Sequence, residues 1–471
     1  MLAYLVSSFI AVVAVFNVVL RYRAEGINGI FLGAGVFFTV VTVVLFILLL
    51  RRNKSQPAIV FLLLGIPAVL AFGLLYPPEQ IPDEIWHAYR VFDIGSGGAR
   101  DMVVPSVFAY HDLPKNYEAF YHALAAPADY GSTITISRHL EQYLNHLYVL
   151  PGMVAALGQF LHINPFVVIF MARFTNASLF LAAGYWSLKM IPFGKTILLI
   201  YLLNPILIQQ EASCSADAFL NAVAILFIAY LLKLRFQERI SRLEWLAVCV
   251  LAVLTVLSKY AYAPLALLFL LFVPRIRDKK RRKTIYAAVA ACMVLGVVFV
   301  LFVYSGATYR GAIELIKTPA ECAKVLVKSF YESGSFWIES FFGGDLGNLN
   351  INVWDPCWWF YAALLISALF NSLGEAFEFS NRERLFVVVL VVAMAIMIIL
   401  VFREWSIEVD HRYDIITGVQ GRYFLPVAIL LLLAGLNKRF ILKRPNSLVV
   451  YSCCLIAVLL ISSASIVRFF L

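Results

Sequence analysis

Phe61-Leu62-Leu63-Leu64-Gly65-Ile66-Pro67-Ala68-Val69-Leu70-Ala71-Phe72-Gly73-Leu74-Leu75 runs without a charge into Tyr76-Pro77-Pro78-Glu79-Gln80-Ile81-Pro82-Asp83-Glu84-Ile85-Trp86-His87-Ala88-Tyr89-Arg90. The first half is a membrane span by length and polarity. The second puts two adjacent carboxylates, a histidine and an arginine at its mouth, where charges are costly to desolvate and need a partner, a substrate or water. Pro77, Pro78 and Pro82 stop the span and extend the backbone before the acids. If Asp83 starts a short helix, Asp83 and His87 share a face at i and i+4. The plainer alternative is a helix N-terminus whose acids favour the dipole.

Working outward, apolar runs recur along the whole chain. Of 471 residues 62% are apolar and 14% charged, and mean hydropathy is +0.86. The fold class is therefore an all-α polytopic membrane protein, because helices satisfy their own backbone groups in lipid. The alternating short segments of an outer-membrane barrel are absent. Expected spans are 2–20, 29–50, 58–75, 166–188, 196–210, 215–233, 243–258, 260–273, 284–304, 357–373, 385–402, 422–436 and 447–467. The net charge of +10 sits in short loops, as the positive-inside rule requires, and does not point to nucleic acid.

Arg51-Arg52-Asn53-Lys54 and the basic loops 233–242, 275–283 and 438–444 go to the cytoplasm, with Arg21 and Arg23 as an exception. Residues 76–142 then lie outside and 233–242 inside, so an odd number of crossings separates them. Four apolar segments intervene, and 146–161, which carries Pro151, Gly152 and Gly158, is the one expected to lie in the interface or re-enter. About thirteen transmembrane helices result, with the N-terminus cytoplasmic and the C-terminus extracytoplasmic. Loops 76–145, 305–356 and 403–421 share the outer face, the first long enough to carry juxtamembrane helices. Cys322 and Cys357 bracket an outer loop, which leaves a disulfide open. The two halves do not mirror each other, which weakens an inverted-repeat transporter.

Charges gather at or just within the outer span ends: Arg173, Glu211 and Asp217 of an outside hairpin, Lys259 and Arg422; topology brings Asp217, Lys259 and Arg422 to the depth of Asp83. Any one cation could simply snorkel to the headgroups, and Asp217 could merely cap a helix with Ser215. Together, two or three cations suit a lipid phosphate or pyrophosphate. A carboxylate beside them suits a base acting on a hydroxyl.

Four motifs occur in a fixed order: Pro82 to Arg90, Ser215 to Ala218, Lys259 to Pro264, and Gly418-Val419-Gln420-Gly421-Arg422-Tyr423-Phe424-Leu425-Pro426. They resemble a bacterial family of predicted membrane proteins of unassigned function, related to the GT-C superfamily of polyprenyl-phosphate-sugar glycosyltransferases. The resemblance runs from 58 to the end, making 1–57 a two-span N-terminal addition to a GT-C-like catalytic domain 58–471. Family members often carry Leu-Gly-Trp-Leu-Asp where this chain has Leu346-Gly347-Asn348-Leu349-Asn350, so no catalysis is assigned there. The resemblance implies transfer of a sugar from a polyprenyl-phosphate (undecaprenyl-type) donor to a cell-envelope glycan, with inversion, on the outer face of the plasma (inner) membrane. Asp83, or Glu84, would be the base and His87 its orienting partner. Lys259, Arg422 and Arg173 would meet the donor phosphate, with Asp217, Tyr260, Gln420, Tyr423 and Arg90 as supporting polar groups. No cofactor is required by this scheme; a divalent cation, Mg or Mn, would fall to Asp83, Glu84 and His87. The rival class is a lipid-linked sugar flippase or polysaccharide transporter, and a non-catalytic envelope scaffold is a third.

Overall fold

A computed structural model of the chain describes residues 2–52, 56–78, 80–94, 101–109, 113–114, 117–137, 144–275, 279–280, 282–284, 286–287, 307–370, 379–436 and 449–458. Most of these are helical. Six helices among them are long and apolar enough to cross a membrane: Leu2–Glu25, Gly29–Arg51, Pro57–Leu75, Pro165–Met190, Ala216–Phe236 and Asn381–Glu408. Outer faces that would be unfavourable in water, such as the exposed Ile30, Val36, Phe37 and Val40, suit lipid. The protein is therefore membrane-located.

Helices α1 (Leu2–Glu25) and α2 (Gly29–Arg52) form an antiparallel hairpin, and α1 leans on α3 (Pro57–Leu75). The prolines end α3 where expected. A short α4 (Glu84–Asp93) follows, then β1 (Asp101–Pro105), α5 (Tyr117–Ala125) and β2 (Thr133–Ser137). The strands pair antiparallel, Asp101 opposite Ser137 and Pro105 opposite Thr133. A second two-residue ladder joins Asp345–Leu346 to Ile351–Asn352. The loops are thus not purely helical, a departure from the all-α expectation. Both ladders lie in polar inserts, where β-branched Val103, Val104, Thr133 and Thr135 favour extended backbone.

Helix α6 (Val149–Phe160) has 12 residues. At 1.5 Å per residue it reaches about 18 Å, short of the roughly 30 Å hydrocarbon core. It packs on α4 and on α7 (Pro165–Met190). The expected span 196–210 is instead broken into α8 (Lys195–Leu202) and α9 (Pro205–Glu211). Pro205 is the reason: it cannot donate into the preceding turn, and the Asn204 side chain accepts from Ile206 N (3.1 Å) to start a new helix. Asn164-Pro165 opens α7 in the same way.

Helix α10 (Ala216–Phe236) is the most enclosed span, flanked by α7, α9 and α11 (Arg242–Ser258). Ser215 caps it through Asp217 N (3.1 Å), and a Ser241–Glu244 capping box opens α11. Tyr260–Arg275 follows as a 3₁₀ helix, whose rise of about 2.0 Å per residue stretches it toward membrane thickness. Further on lie the helices Ala307–Ile316, Pro319–Phe341, Asp355–Ala368, Asn381–Val401 and Leu425–Gly435. The expected span 284–304 lies almost wholly outside the described residues, and 447–467 partly so. Cys322 and Cys357 are both free thiols.

Apolar side chains fill one large core around α3, α8, α10 and Leu425–Gly435. A second, aromatic core of Tyr89, Phe92, Phe108, Phe120, Phe166 and Phe170 roots the first polar insert on α7. That root holds α4, and with it Asp83, in place.

Candidate functional site

Asp83 and Glu84 are neighbours in sequence and part company in space. Glu84 turns inward. Arg173, in the middle of α7, meets it side-on, Nε donating to Oε1 at 2.7 Å and Nη2 to Oε2 at 2.5 Å. The same guanidinium donates to the carbonyls of Gly73 (2.8 Å), Tyr76 (2.6 Å) and Pro77 (3.3 Å). All five donors of the arginine are therefore occupied. Cys214 N adds a bond to Glu84 Oε1 at 3.1 Å. Arg173 is 0% and Glu84 1% exposed. Glu84, expected as the alternative base, and Arg173, expected at the donor phosphate, are instead engaged with each other: the pair is a closed brace that caps α3 and ties it to α4, α7 and the 212–215 turn.

Asp83 turns outward. It sits just before α4 in the left-handed region (φ +63°), a conformation a non-glycine residue adopts at some cost. Its side chain is 52% exposed, and Oδ2 accepts from Arg422 Nη2 at 2.5 Å. Arg422 is buried and also donates to Pro82 O (3.2 Å) and the Tyr423 hydroxyl (2.9 Å). Its Nη1 lies 4.0 Å from Asp217 Oδ2, whose other oxygen holds Lys259 Nζ at 2.5 Å. The Tyr423 ring lies under both cations, 5.2 Å from Lys259 Nζ and 4.8 Å from the Arg422 guanidinium. Four charged residues from four parts of the chain thus form one cluster.

Local chemistry explains how each arrives. Asp217 is fixed by the Ser215 cap, and Lys259 leaves the end of α11 in extended conformation. Gly421 lets the Arg422 turn lie against the helix Pro319–Phe341: a Cβ there would come within 2.1 Å of Phe341 N and 2.6 Å of Trp337 O. Gly421 N instead donates to Ser340 Oγ at 2.9 Å. Gly418, at φ +79°, makes the bend before it.

Partial desolvation works against the charge on Asp83, but the Arg422 guanidinium beside it outweighs this and holds the carboxyl below its ordinary range. His87 is pushed down to about 4, chiefly by burial, although Asp83 and Asp217 pull the other way. It is therefore neutral at pH 7, and its Nδ1 is paired with the Tyr148 hydroxyl at 2.7 Å. Arg90 joins the same patch, donating to Asn145 Oδ1 at 2.6 Å and lying 3.5 Å from Asp93. It braces α4 against the 145–148 turn. The set Asp83, Glu84 and His87 does not converge on one point, because both Glu84 oxygens face Arg173. Among the described residues no group of three His, Cys, Asp or Glu side chains could hold a metal ion.

Of the remaining site residues, Tyr260 opens the 3₁₀ helix and is half-buried. Gln420 precedes the Gly421–Phe424 turn, with its side-chain oxygen buried and unpartnered among the described residues. Sequence reasoning missed Tyr148, whose signal was an aromatic inside Asn145-His146-Leu147-Tyr148, and Asn221; it placed Glu211 in the hairpin with Asp217 but gave it no role.

The arrangement can hold an anion between two cations and keep a carboxylate ionised beside it, at the mouth of a lipid-facing bundle. Residues 68–431 match the family model described as Predicted membrane protein (DUF2142). The chain belongs to this family of predicted membrane proteins. No curated protein and no solved structure matches it.

Proposed function

We propose that this chain is an integral-membrane glycosyltransferase of GT-C type, moving a sugar from a polyprenyl-phosphate donor to an envelope glycan. The observation that carries the proposal is the cluster Asp83–Arg422–Asp217–Lys259, assembled from residues up to 339 positions apart. A base and two phosphate-sized cations are the parts such a transfer needs.

In the proposed reaction Asp83 takes the proton of an acceptor hydroxyl. The hydroxyl oxygen attacks the anomeric carbon, the bond from that carbon to the phosphate oxygen breaks, and its electron pair leaves on the phosphate with inversion. Lys259 and Arg422 meet that charge. A donor phosphate reaching Arg422 competes with Asp83 for the guanidinium, so donor binding itself frees the carboxylate to act. Tyr423 keeps the two cations in register, and Tyr260 and Gln420 border them. The proposal includes the finer topology: about thirteen crossings, the cluster on the outer face of the plasma membrane, N-terminus inside and C-terminus outside. Basic loops at 233–242 and 275–283 support that orientation.

Purified protein assayed with a lipid-linked sugar tests the proposal. Asp83→Asn should abolish transfer while the protein stays folded and still binds polyprenyl phosphate. Unimpaired transfer by that variant ends its role as base. Movement of the intact lipid-linked sugar across vesicles, without transfer, would favour the flippase instead.

A further inference from the structure

The turn between α9 and α10 holds a carboxyl that the charged cluster leaves aside. Glu211 ends α9, is 0% exposed, and neither of its oxygens has a hydrogen-bond partner among the described residues. Asn221, 1% exposed on α10, is set against it, near enough for its amide to interact with the carboxyl, although neither amide atom makes a hydrogen bond of ordinary geometry among the described residues. The titratable groups facing Glu211 are Asp217 and Tyr201. Neither donates to it: Asp217 is itself an acid held by Lys259, and the Tyr201 hydroxyl donates to the Leu425 carbonyl.

An ionised carboxylate in this position is shut off from bulk solvent, has no cation paired with it among the described residues, and sits at the negative end of a helix. Hydrogen-bond counting points the same way. A carboxylate only accepts, so it could take the Asn221 Nδ2 proton but would leave Asn221 Oδ1 facing an anion. A neutral acid donates its O–H to Oδ1 and accepts from Nδ2 on its carbonyl oxygen. The added proton supplies the donor that Asn221 Oδ1 otherwise lacks. The Gln210 amide, also unpartnered, lies about 100° round the helix and is not needed for this match.

We propose that Glu211 is a proton-binding site, a neutral carboxylic acid paired reciprocally with the Asn221 amide. The proton comes from water as the chain folds. Asp217 and Asn221 stand at i and i+4 on α10, so the site borders the charged cluster directly. With Glu211 neutral, Asp83 and Asp217 balance Lys259 and Arg422. An ionised Glu211 would leave the cluster net negative where an anionic donor must enter. That consequence rests on the transferase proposal; the proton itself does not.

Infrared difference spectroscopy of the full-length protein in detergent at neutral pH tests the inference. The wild type should show the carbonyl stretch of a protonated carboxylic acid, shifted by deuterium exchange and lost in Glu211→Gln. Glutamine reproduces both hydrogen bonds of the neutral acid, so this variant should fold and bind polyprenyl phosphate as the wild type does. In Asn221→Leu, which keeps Glu211, the band should move as its hydrogen bond is lost; this reading serves if Glu211→Gln does not fold. Loss of an ionised-carboxylate band in Glu211→Gln, with no protonated band in the wild type, overturns the proposal. A protonated-acid band in the wild type together with weakened lipid binding in Glu211→Gln would overturn only the consequence for the donor.

Discussion

Glu84–Arg173 and Asp83–Arg422 are two arginine–carboxylate pairs built from adjacent acids, and they differ in every respect that matters for chemistry. In the first, all five guanidinium donors are occupied and both partners are buried. In the second, Arg422 makes three donor contacts, its buried Nε has no partner among the described residues, and its acid is half-exposed on strained backbone. The lesson is that unused hydrogen-bonding capacity and solvent access, not charge at membrane depth, separate a working pair from a brace.

The largest break in that comparison comes from the closed pair. Arg173→Ala or Glu84→Ala leaves a buried charge alone and should cost about 3–5 kcal/mol, seen as a collapse of the folded fraction in thermal unfolding in detergent. Asp83→Asn should instead lower transfer by about 10²–10⁴-fold, the range for losing a general base, with little change in melting because the amide oxygen still accepts from Arg422. A stable Arg173→Ala with reduced donor binding would reverse the two assignments.

A third effect is set by pH. His87 has an ordinary value of 6.5 and is held at about 4 when folded. Between those values the unfolded chain binds the proton more readily, so stability falls as pH drops from 6.5 toward 4, by up to about 1.4 kcal/mol per unit. Unfolding of the wild type and His87→Gln, compared across that window, should show a slope in the wild type that the variant lacks. The smallest effect sharpens the strained side: Asp83→Gly should be about 1 kcal/mol more stable than Asp83→Ala, since glycine tolerates φ +63°. Equal stability would mean that the left-handed turn relaxes when the acid is removed.

Much of this was legible in the sequence. Length and apolarity mark α3, α7 and α10, and the glycine- and proline-interrupted segment 146–161 carries a helix of only 12 residues. That Asp217, Lys259 and Arg422 come close together is expected from where apolar runs end, and the three do meet. What could not be read was the direction of side chains. Asp83 leaves the helical path at φ +63° while Glu84 opens α4, and only tertiary packing decides which faces Arg173. The break at Asn204-Pro205 was readable from the same Asn-Pro signal that starts α7, but the apolar run around it masked the signal. Glu211 reads as an outside-hairpin residue because its burial depends on α3, α7 and α10 closing over a turn that looks polar.

The central claim is that Asp83, Asp217, Lys259 and Arg422 serve one phosphate-bearing lipid. Native mass spectrometry of lipids retained by the purified protein tests it most directly. The account predicts a polyprenyl-phosphate species on the wild type and on Asp83→Asn, lost in Lys259→Met and Arg422→Gln. A folded wild type that retains no such lipid, or retention untouched by both cation variants, would contradict it.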